Sequence, residues 1–279
     1  MKNYRVIFCT FGDTRLHKSL YRIKAQAIAM GVYDSIKINN QNHLSKSFRK
    51  KFKDTLNKKT RGFGYWCWKP QIILQTLLQL NEGDILQYTD VGCHLNPSAK
   101  KRLLEYIEMA KNSKSGLVLF RAPDNADPAK SHQNQEYLYS KGDIFKYFNV
   151  IGRQEIIQTN QYAAAAMFVR KDDQNINFIK RWIEVFSEDF TNIDDTPSSY
   201  PNFAGFIDHR HDQSILSIMA KLRGVEEITI DECYVADGDW SRLKNYPIWA
   251  MRDKKLDTLQ RLKNRIYGLC QSLRARISK

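Results

Sequence analysis

Asp90 ends the apolar run 85–88 and is followed by Gly92 and by the turn-forming residues Asn96 and Pro97. The run has the composition of a buried strand. A strand that ends in a carboxylate carries it to the carboxyl edge of a sheet, and ligands of open α/β sheets bind outside that edge. We hypothesise that Asp90 faces a charged ligand.

A carboxylate at such an edge suits a divalent metal, Mg²⁺ or Mn²⁺, that neutralises a diphosphate. Sites of this kind usually have two acids flanking one residue, but Gly92 stands at the second position. His94 offers a nitrogen ligand, which suits Mn²⁺ better than Mg²⁺. The alternative is that Asp90 caps the next turn and Gly92 permits a tight bend.

The segment 61–70 combines glycines, bases and large aromatic residues just before a helix that we predict to start at Pro70. Glycines allow a ligand to approach the backbone, and Arg61 and Lys69 can pair with phosphate. The aromatic faces that can stack on a base or sugar are Tyr65, Trp66 and Trp68. The pattern favours a ligand-binding loop, and the alternative is a hydrophobic plug beneath a loop.

A third cluster, residues 209–214, precedes an amphipathic helix and contains His211, Asp212 and Gln213. Asp212 fits either a catalytic carboxylate or an N-cap, which stabilises a helix by about 1 kcal/mol. The alanines at 163–166 in a predicted strand either leave room for a substrate or pack against a helix. The sequence does not separate these two alternatives.

The elements that must position these residues alternate between strands and helices. The first strand is predicted over 4–11 and ends at Gly12-Asp13, and helices are predicted over 15–30, 173–190 and 211–223. Such alternation predicts an α/β fold with a mainly parallel central sheet flanked by helices. We predict one domain over 1–250, followed by a separate C-terminal helix over 251–279.

The net charge of +14 is concentrated in residues 46–61 and 252–279, which carry +7 each. Nucleic acid, anionic lipid and phosphate are candidate partners for such segments. The five cysteines are odd in number and lack a CxxC spacing, which indicates reduced thiols in the cytoplasm. A helix needs about 18 or more consecutive apolar residues to span a membrane, and no segment of the sequence has such a run.

The tail 256–277 has a leucine or isoleucine every three or four residues, which places an apolar stripe on one helix face. Leu259, Ile266 and Leu273 belong to the stripe, and Arg261 and Arg265 lie opposite. This pattern is typical of a helix in a membrane interface, and a helix packed on the domain is the alternative. It predicts a peripheral protein on the inner face of the cell membrane, bound to anionic lipid.

The order of these motifs resembles bacterial glycosyltransferases of the GT-A fold, in the nucleotide-diphospho-sugar transferase superfamily, that build lipopolysaccharide or capsule. The resemblance covers about residues 4–235 and depends on the stretches 63–70, 88–96 and 211–214. It implies a nucleotide-sugar donor at the strand ends, a glycan or lipid-linked acceptor, and a divalent metal. The metal motif, acid–any–acid, is matched only at Asp90.

The stretch His-Asp-Gln-Ser at 211–214 is similar to the His-Asp-Glu-Ser of blood-group-type transferases. This similarity implies that Asp212 or Gln213 lies near the reacting sugar, and Asp212 is preferred because an amide is not a carboxylate nucleophile. The acceptor is expected at Ala164, Ala165 and His211, and the metal at Asp90 and His94. The expected donor-binding residues are Thr10, Phe11, Asp13, Arg61, Tyr65, Trp66, Trp68, Lys69, Asp90 and Gly92.

Two rival functions share some of these features. A sugar nucleotidyltransferase has the same sheet but usually a glycine-rich basic loop after the first strand, where this chain has only Gly12. A non-enzymatic nucleic-acid-binding protein explains the charge but not Asp90 or Asp212, and no helix-turn-helix or zinc pattern is present. We therefore expect a glycosyltransferase that does not bind nucleic acid, with retention or inversion left open.

Overall fold

The computed structural model of the protein describes residues 3–124 and 134–254. The strands are β1 (Val6–Phe11), β2 (Ser35–Asn39), β3 (Ile85–Thr89), β4 (His94–Leu95), β5 (Leu117–Arg121), β6 (Tyr162–Arg170), β7 (Glu226–Thr229) and β8 (Ile248–Trp249). The helices are α1 (His17–Met30), α2 (Lys46–Lys51), α3 (Gly62–Tyr65), α4 (Trp68–Leu77), α5 (Lys100–Asn112), α6 (Glu136–Tyr139), α7 (Gly142–Tyr147), α8 (Gln154–Ile157), α9 (Asp173–Glu188) and α10 (Asp212–Arg223). Short 3-10 turns lie at Thr14–Leu16, Gln41–His43, Pro97–Ala99, Phe190–Asn192, Ile230–Glu232 and Trp240–Leu243.

Six strands form the central sheet in the order β2-β1-β3-β6-β5-β7. All of them run in one direction except β6, which is antiparallel to both β3 and β5. The predicted α/β fold with a mainly parallel sheet flanked by helices is confirmed. Residues 251–254 of the predicted C-terminal helix 251–279 are described and are not helical. The rest of that predicted amphipathic helix, with Leu259, Arg261, Arg265, Ile266 and Leu273, lies outside the described residues.

Both faces of the sheet are buried, which is why β1 is apolar at almost every position. Its residues Ile7, Cys9 and Phe11 join the hydrophobic cluster beneath α4, α9 and α10. Val6 and Phe8 point to the opposite face, where α1 and α5 pack. Hydrophobic clusters therefore cover both faces of the sheet, and the ends of its strands hold their side chains in defined positions.

The reversal of β6 brings its first half to the edge where β1 and β3 end. Thr89, the last residue of β3, is paired with Ala166. The backbone N–H of Asp90 donates to the carbonyl of Ala165 at 2.8 Å. The alanine run therefore lies beside Asp90 at the carboxyl edge of the parallel strands.

A small second sheet pairs His94 and Leu95 with Trp249 and Ile248. It turns the chain back over the carboxyl edge, where the N–H of Asp253 donates to the carbonyl of Gly92 at 2.8 Å. Within the described residues, no helix is long and apolar enough to cross a membrane.

Candidate active site

A cavity of about 770 Å³ opens at the carboxyl edge of the sheet. Its lining includes the end of β1, the turn after β3, the start of β6, the loop before α10 and the segment 248–254. It contains Asp90 and Asp212, which the sequence analysis singled out from separate motifs. The structure brings these two acids together at one site.

Lys69 joins the two acids. Its Nζ lies 2.7 Å from Oδ2 of Asp212 and 3.3 Å from Oδ1 of Asp90. Nζ also donates to the backbone carbonyl of Ala164 at 3.1 Å. Three oxygens thus surround an ammonium that has three N–H donors. Lys69 lies in the first turn of α4, and its side chain, which lines the cavity, is only 3% exposed.

The two acids differ in their access to the cavity. The side chain of Asp90 is 31% exposed and that of Asp212 only 6%. Burial raises the pKa of Asp212 to about 6, against the opposing effect of Lys69. Burial acts to lower the pKa of Lys69, but the two carboxylates outweigh it and raise that pKa. Asp90 also accepts a hydrogen bond from the hydroxyl of Tyr88 at 2.7 Å.

The turn α3 and the residue after it have a left-handed backbone. The φ angles of Gly62, Phe63, Tyr65 and Trp66 are 58°, 58°, 52° and 60°. This conformation costs roughly 1–2 kcal/mol for each residue that has a Cβ. The indole N–H of Trp68 donates to the carbonyl of Gly62 at 2.9 Å and holds the turn.

Strained backbone is concentrated at this site. Six non-glycine residues in the described ranges have a positive φ, and four of these line the cavity. The four are Phe63, Trp66, His211 and Arg252. Residues held in such conformations cluster at active sites and ligand clamps.

The predicted aromatic residues have different surroundings. Phe11 and Trp68 stack on each other with ring centroids 3.9 Å apart, so they form part of the cavity wall. Tyr65 and Trp66 pack against His211 with centroid distances of 5.1 and 5.4 Å. Trp66 also lines the cavity and is more exposed than Trp68.

His211 is a buried, neutral wall residue. Its Nδ1 donates to the carbonyl of Ile193 at 2.7 Å, and burial lowers its pKa. Gln213, on the first turn of α10, donates through Nε2 to Oε1 of Gln161 at 2.9 Å. Gln161 in turn donates to the buried carboxylate of Glu136 at 2.9 Å. Gln161 and Glu136 were not predicted, because neither stands in a short motif.

Three other predicted donor-binding residues interact with the protein itself. Both carboxylate oxygens of Asp13 accept hydrogen bonds from the guanidinium of Arg15, at 2.7 and 2.8 Å. Arg61 forms ion pairs with Asp195 and Asp208 at 3.3 and 3.0 Å. Thr10 is fully buried in β1. Asp13 and Arg61 nevertheless line the cavity, whereas Thr10 is not part of its lining.

The donor set does not fit a divalent metal. Nδ1 of His94 lies 3.1 Å from Nε2 of Gln26, and Nε2 lies 3.0 Å from Oδ2 of Asp253, so both ring nitrogens are engaged away from Asp90. The two carboxylates that do converge have an ammonium between them. Across residues 3–124 and 134–254, no three His, Cys, Asp or Glu side chains are grouped as metal ligands would be.

Several solved structures of glycosyltransferases are similar to this chain. One similar solved structure is a glycosyltransferase involved in the glycosylation of the major capsid of PBCV-1, with 10% identity, 88% of this chain and 94% of that chain covered, and a TM-score of 0.44. Another is mouse xyloside xylosyltransferase 1. Its identity to this chain is 7%, the similarity covers 88% of this chain and 97% of that chain, and the TM-score is 0.44. A third is the galactosyltransferase LgtC in complex with donor and acceptor sugar analogs. Its identity to this chain is 10%, the similarity covers 88% of this chain and 86% of that chain, and the TM-score is 0.42.

No protein-family model matches the chain, and no curated protein sequence matches it. The three structural similarities are remote.

Proposed function

We propose that the protein transfers a sugar from a nucleotide diphosphate donor to a hydroxyl of a glycan or lipid-linked acceptor. The observation that carries this proposal is the cluster of Asp90, Lys69 and Asp212 at the carboxyl edge of the sheet, in a cavity of about 770 Å³. Ligand cavities of proteins range from about 300 to 1,000 Å³.

In the proposed reaction, the acceptor hydroxyl oxygen bonds to the anomeric carbon, and the bond from that carbon to the diphosphate breaks with its electron pair on the diphosphate. The hydroxyl proton passes to a carboxylate. Asp90 is the better placed of the two acids because its side chain is 31% exposed. Asp212 and Gln213 position the reacting groups, Asp212 through Lys69 and Gln213 from the start of α10. Ala164 and Ala165, whose small side chains leave room, form the floor.

The turn after β1 argues against the rival nucleotidyltransferase function. A phosphate-binding loop presents free backbone N–H groups to the ligand. In this chain the N–H groups of Gly12, Thr14 and Arg15 donate to Asn39, Gln41 and Asp13, at 3.0, 3.2 and 2.9 Å. These three N–H groups are therefore not free to hold a nucleoside triphosphate.

The proposed acceptor is membrane-associated, and anionic lipid is the proposed partner of the basic surface. The basic residues of 46–59 are all exposed, and none forms an ion pair within the described part of the chain: Lys46, Arg49, Lys50, Lys51, Lys53, Lys58 and Lys59. Each such residue near an anionic membrane contributes about 1 kcal/mol. Flotation with liposomes containing phosphatidylserine tests this, and equal flotation of the chain with and without residues 252–279 would contradict the proposed role of the tail.

The decisive test of the reaction is a panel of nucleotide sugars and sugar acceptors, with release of the nucleoside diphosphate as the readout. A donor that binds should also raise the thermal midpoint, because a ligand at 100 times its dissociation constant stabilises by about 2.7 kcal/mol. Release of pyrophosphate from a nucleoside triphosphate and a sugar 1-phosphate would instead show the rival nucleotidyltransferase activity.

A further inference from the structure

Three basic side chains that no sequence motif predicted line the cavity: Arg210, Arg252 and Lys254. The cavity's other basic residues, Arg15, Arg61 and Lys69, each pair with carboxylates. Within the described residues, the first three have no carboxylate within ion-pair distance. One part of the cavity lining therefore has three cations without a directly paired carboxylate.

Arg210 and Arg252 act on each other as like charges. Burial lowers the pKa of Arg210, and the charge of Arg252 lowers it further. The guanidinium of Arg210 is fixed by stacking 3.6 Å from the ring centroid of Tyr139 and by donating to Oδ1 of Asn134 at 2.9 Å. Asp208 and Glu136 act in the opposite direction on this pKa, but neither pairs directly with Arg210. An anion bound beside Arg210 and Arg252 would relieve the repulsion between their like charges.

A specific anchor holds Arg252 and Lys254 over the cavity. Asp253, between them, forms an ion pair with Arg22 at 2.7 Å and lies 3.0 Å from Nε2 of His94. Its N–H donates to the carbonyl of Gly92 at 2.8 Å. A Cβ at Gly92 would lie 3.3 Å from Cα of Arg252, so a glycine there allows the segment to approach closely.

The acids of the site are already neutralised by a protein cation. Nζ of Lys69 forms ion pairs with Asp90 and Asp212 and donates a hydrogen bond to the carbonyl of Ala164. A divalent metal between the two carboxylates would have to displace this buried ammonium, and removing one partner of a buried ion pair is strongly unfavourable.

We infer that Arg210, Arg252 and Lys254 bind the diphosphate of the donor directly and that Lys69 occupies the place where a divalent metal would bridge the acids. This inference rests on the proposed function and names how its donor is held. The three cations stabilise the negative charge that builds on the leaving diphosphate. Binding and transfer are then independent of divalent metal.

Calorimetric titration of the full chain with UDP, GDP, ADP and CDP, first in EDTA and then with Mn²⁺, tests the inference. We expect one of these nucleotides to bind in EDTA with a dissociation constant within about threefold of its value in Mn²⁺. Arg252→Gln and Lys254→Gln should each weaken binding about tenfold or more, the usual effect of losing a hydrogen bond to a charged group. Arg252→Lys should recover part of the loss, and Lys180→Gln, which removes an exposed charge outside the cavity, should leave binding unchanged.

Binding that requires Mn²⁺ and disappears in EDTA would overturn the inference and leave the proposed function standing. Failure of every nucleoside diphosphate to bind in either buffer would overturn both. Unchanged affinity of the Lys254→Gln variant and the Arg252→Gln variant would also overturn the inference. Lys254 is exposed, so its variant keeps the test valid if the Arg252 variant does not fold.

Discussion

Among the lysines of the described residues whose buried side chains form ion pairs, Lys69 and Lys221 differ in what surrounds them. Nζ of Lys221 lies 3.0 Å from Oε1 of Glu136, and two backbone carbonyls, of Ile156 and Thr159, accept its other hydrogen bonds. Glu136 is fully buried, so this pair is one cation with one acid, closed off from solvent. Lys69 instead has two acids, and one of them is 31% exposed to the cavity.

A buried, ion-paired lysine is therefore not by itself evidence of a functional site. At Lys221 burial dominates and lowers the pKa of the lysine, whereas at Lys69 the two acids outweigh burial and raise it. The first arrangement stabilises the packing of α10 against α6. At Lys69 there are two carboxylates for one ammonium. The more exposed carboxylate, that of Asp90, faces the cavity and can react with a ligand there. We therefore expect substitutions at the two clusters to affect different properties.

The largest effect is expected for Asp90→Asn. Loss of the proposed proton acceptor should lower the transfer rate by about 10²–10⁴-fold, the usual contribution of a general base. The thermal midpoint should change little because Asp90 is partly exposed. Asp54→Asn, which removes an exposed acid outside the cavity, is the matched control. Full transfer by the Asp90 variant, measured as nucleoside diphosphate released, would remove Asp90 from the reaction.

At the other cluster, Lys221→Met should lower stability and spare the reaction. The change leaves Glu136 as an unpaired buried charge, and breaking a buried ion pair costs about 3–5 kcal/mol. Urea unfolding measures this loss, and the rate per folded molecule should remain near that of the unaltered protein. Lys180→Met, at an exposed position on α9, should cost less than about 0.5 kcal/mol. A large loss of rate with unchanged stability would show that Lys221 belongs to the site.

Local patterns were enough to predict the sheet, the end of β3 at Asp90 and the start of α10 at Asp212, because strand and helix ends depend on neighbouring residues. The structure places Lys69 between those acids, which local sequence could not show because its partners lie 21 and 143 residues away along the chain. The contact between Gly92 and Asp253 is equally distant in sequence. Arg252 and Lys254 fall within the range 251–279 that the local pattern predicts as a membrane-interface helix. The structure shows instead that both residues line the cavity.

A smaller effect is expected from a change in the backbone of the cavity. Gly62→Ala adds a Cβ at a φ of 58° and 2.4 Å from the ring of Trp66. Left-handed strain and overpacking together should destabilise the protein by about 2–4 kcal/mol and displace Trp66 from the cavity wall. Gly152→Ala is the control, because it has open space and an ordinary φ. Equal denaturation midpoints for the two variants would mean that the turn at 62–66 relaxes without cost.

The smallest effect concerns the pH dependence that Asp212 confers. Its pKa in the folded protein is about 6, above the ordinary value of 3.8, so the folded state binds its proton more tightly than the unfolded state. The free energy of unfolding should therefore fall as pH rises from about 4 to 6, by about 1–3 kcal/mol at 1.36 kcal/mol per pKa unit. Asp212→Asn should remove this slope, and Lys221→Met should retain it.

The same titration should appear in the reaction if the ionised form of Asp212 holds Lys69 in place. The specificity constant, kcat/KM, should then rise with pH through an apparent pKa near 6 and reach a plateau above it. The Asp212→Asn variant should no longer show this rise of kcat/KM with pH. The Asp90→Asn variant should still show the rise, with a lower kcat/KM at every pH. A rise that persists in the Asp212 variant would assign the titration to another group. Asp212 would then be, like Glu136, a carboxylate that serves only the packing of α10.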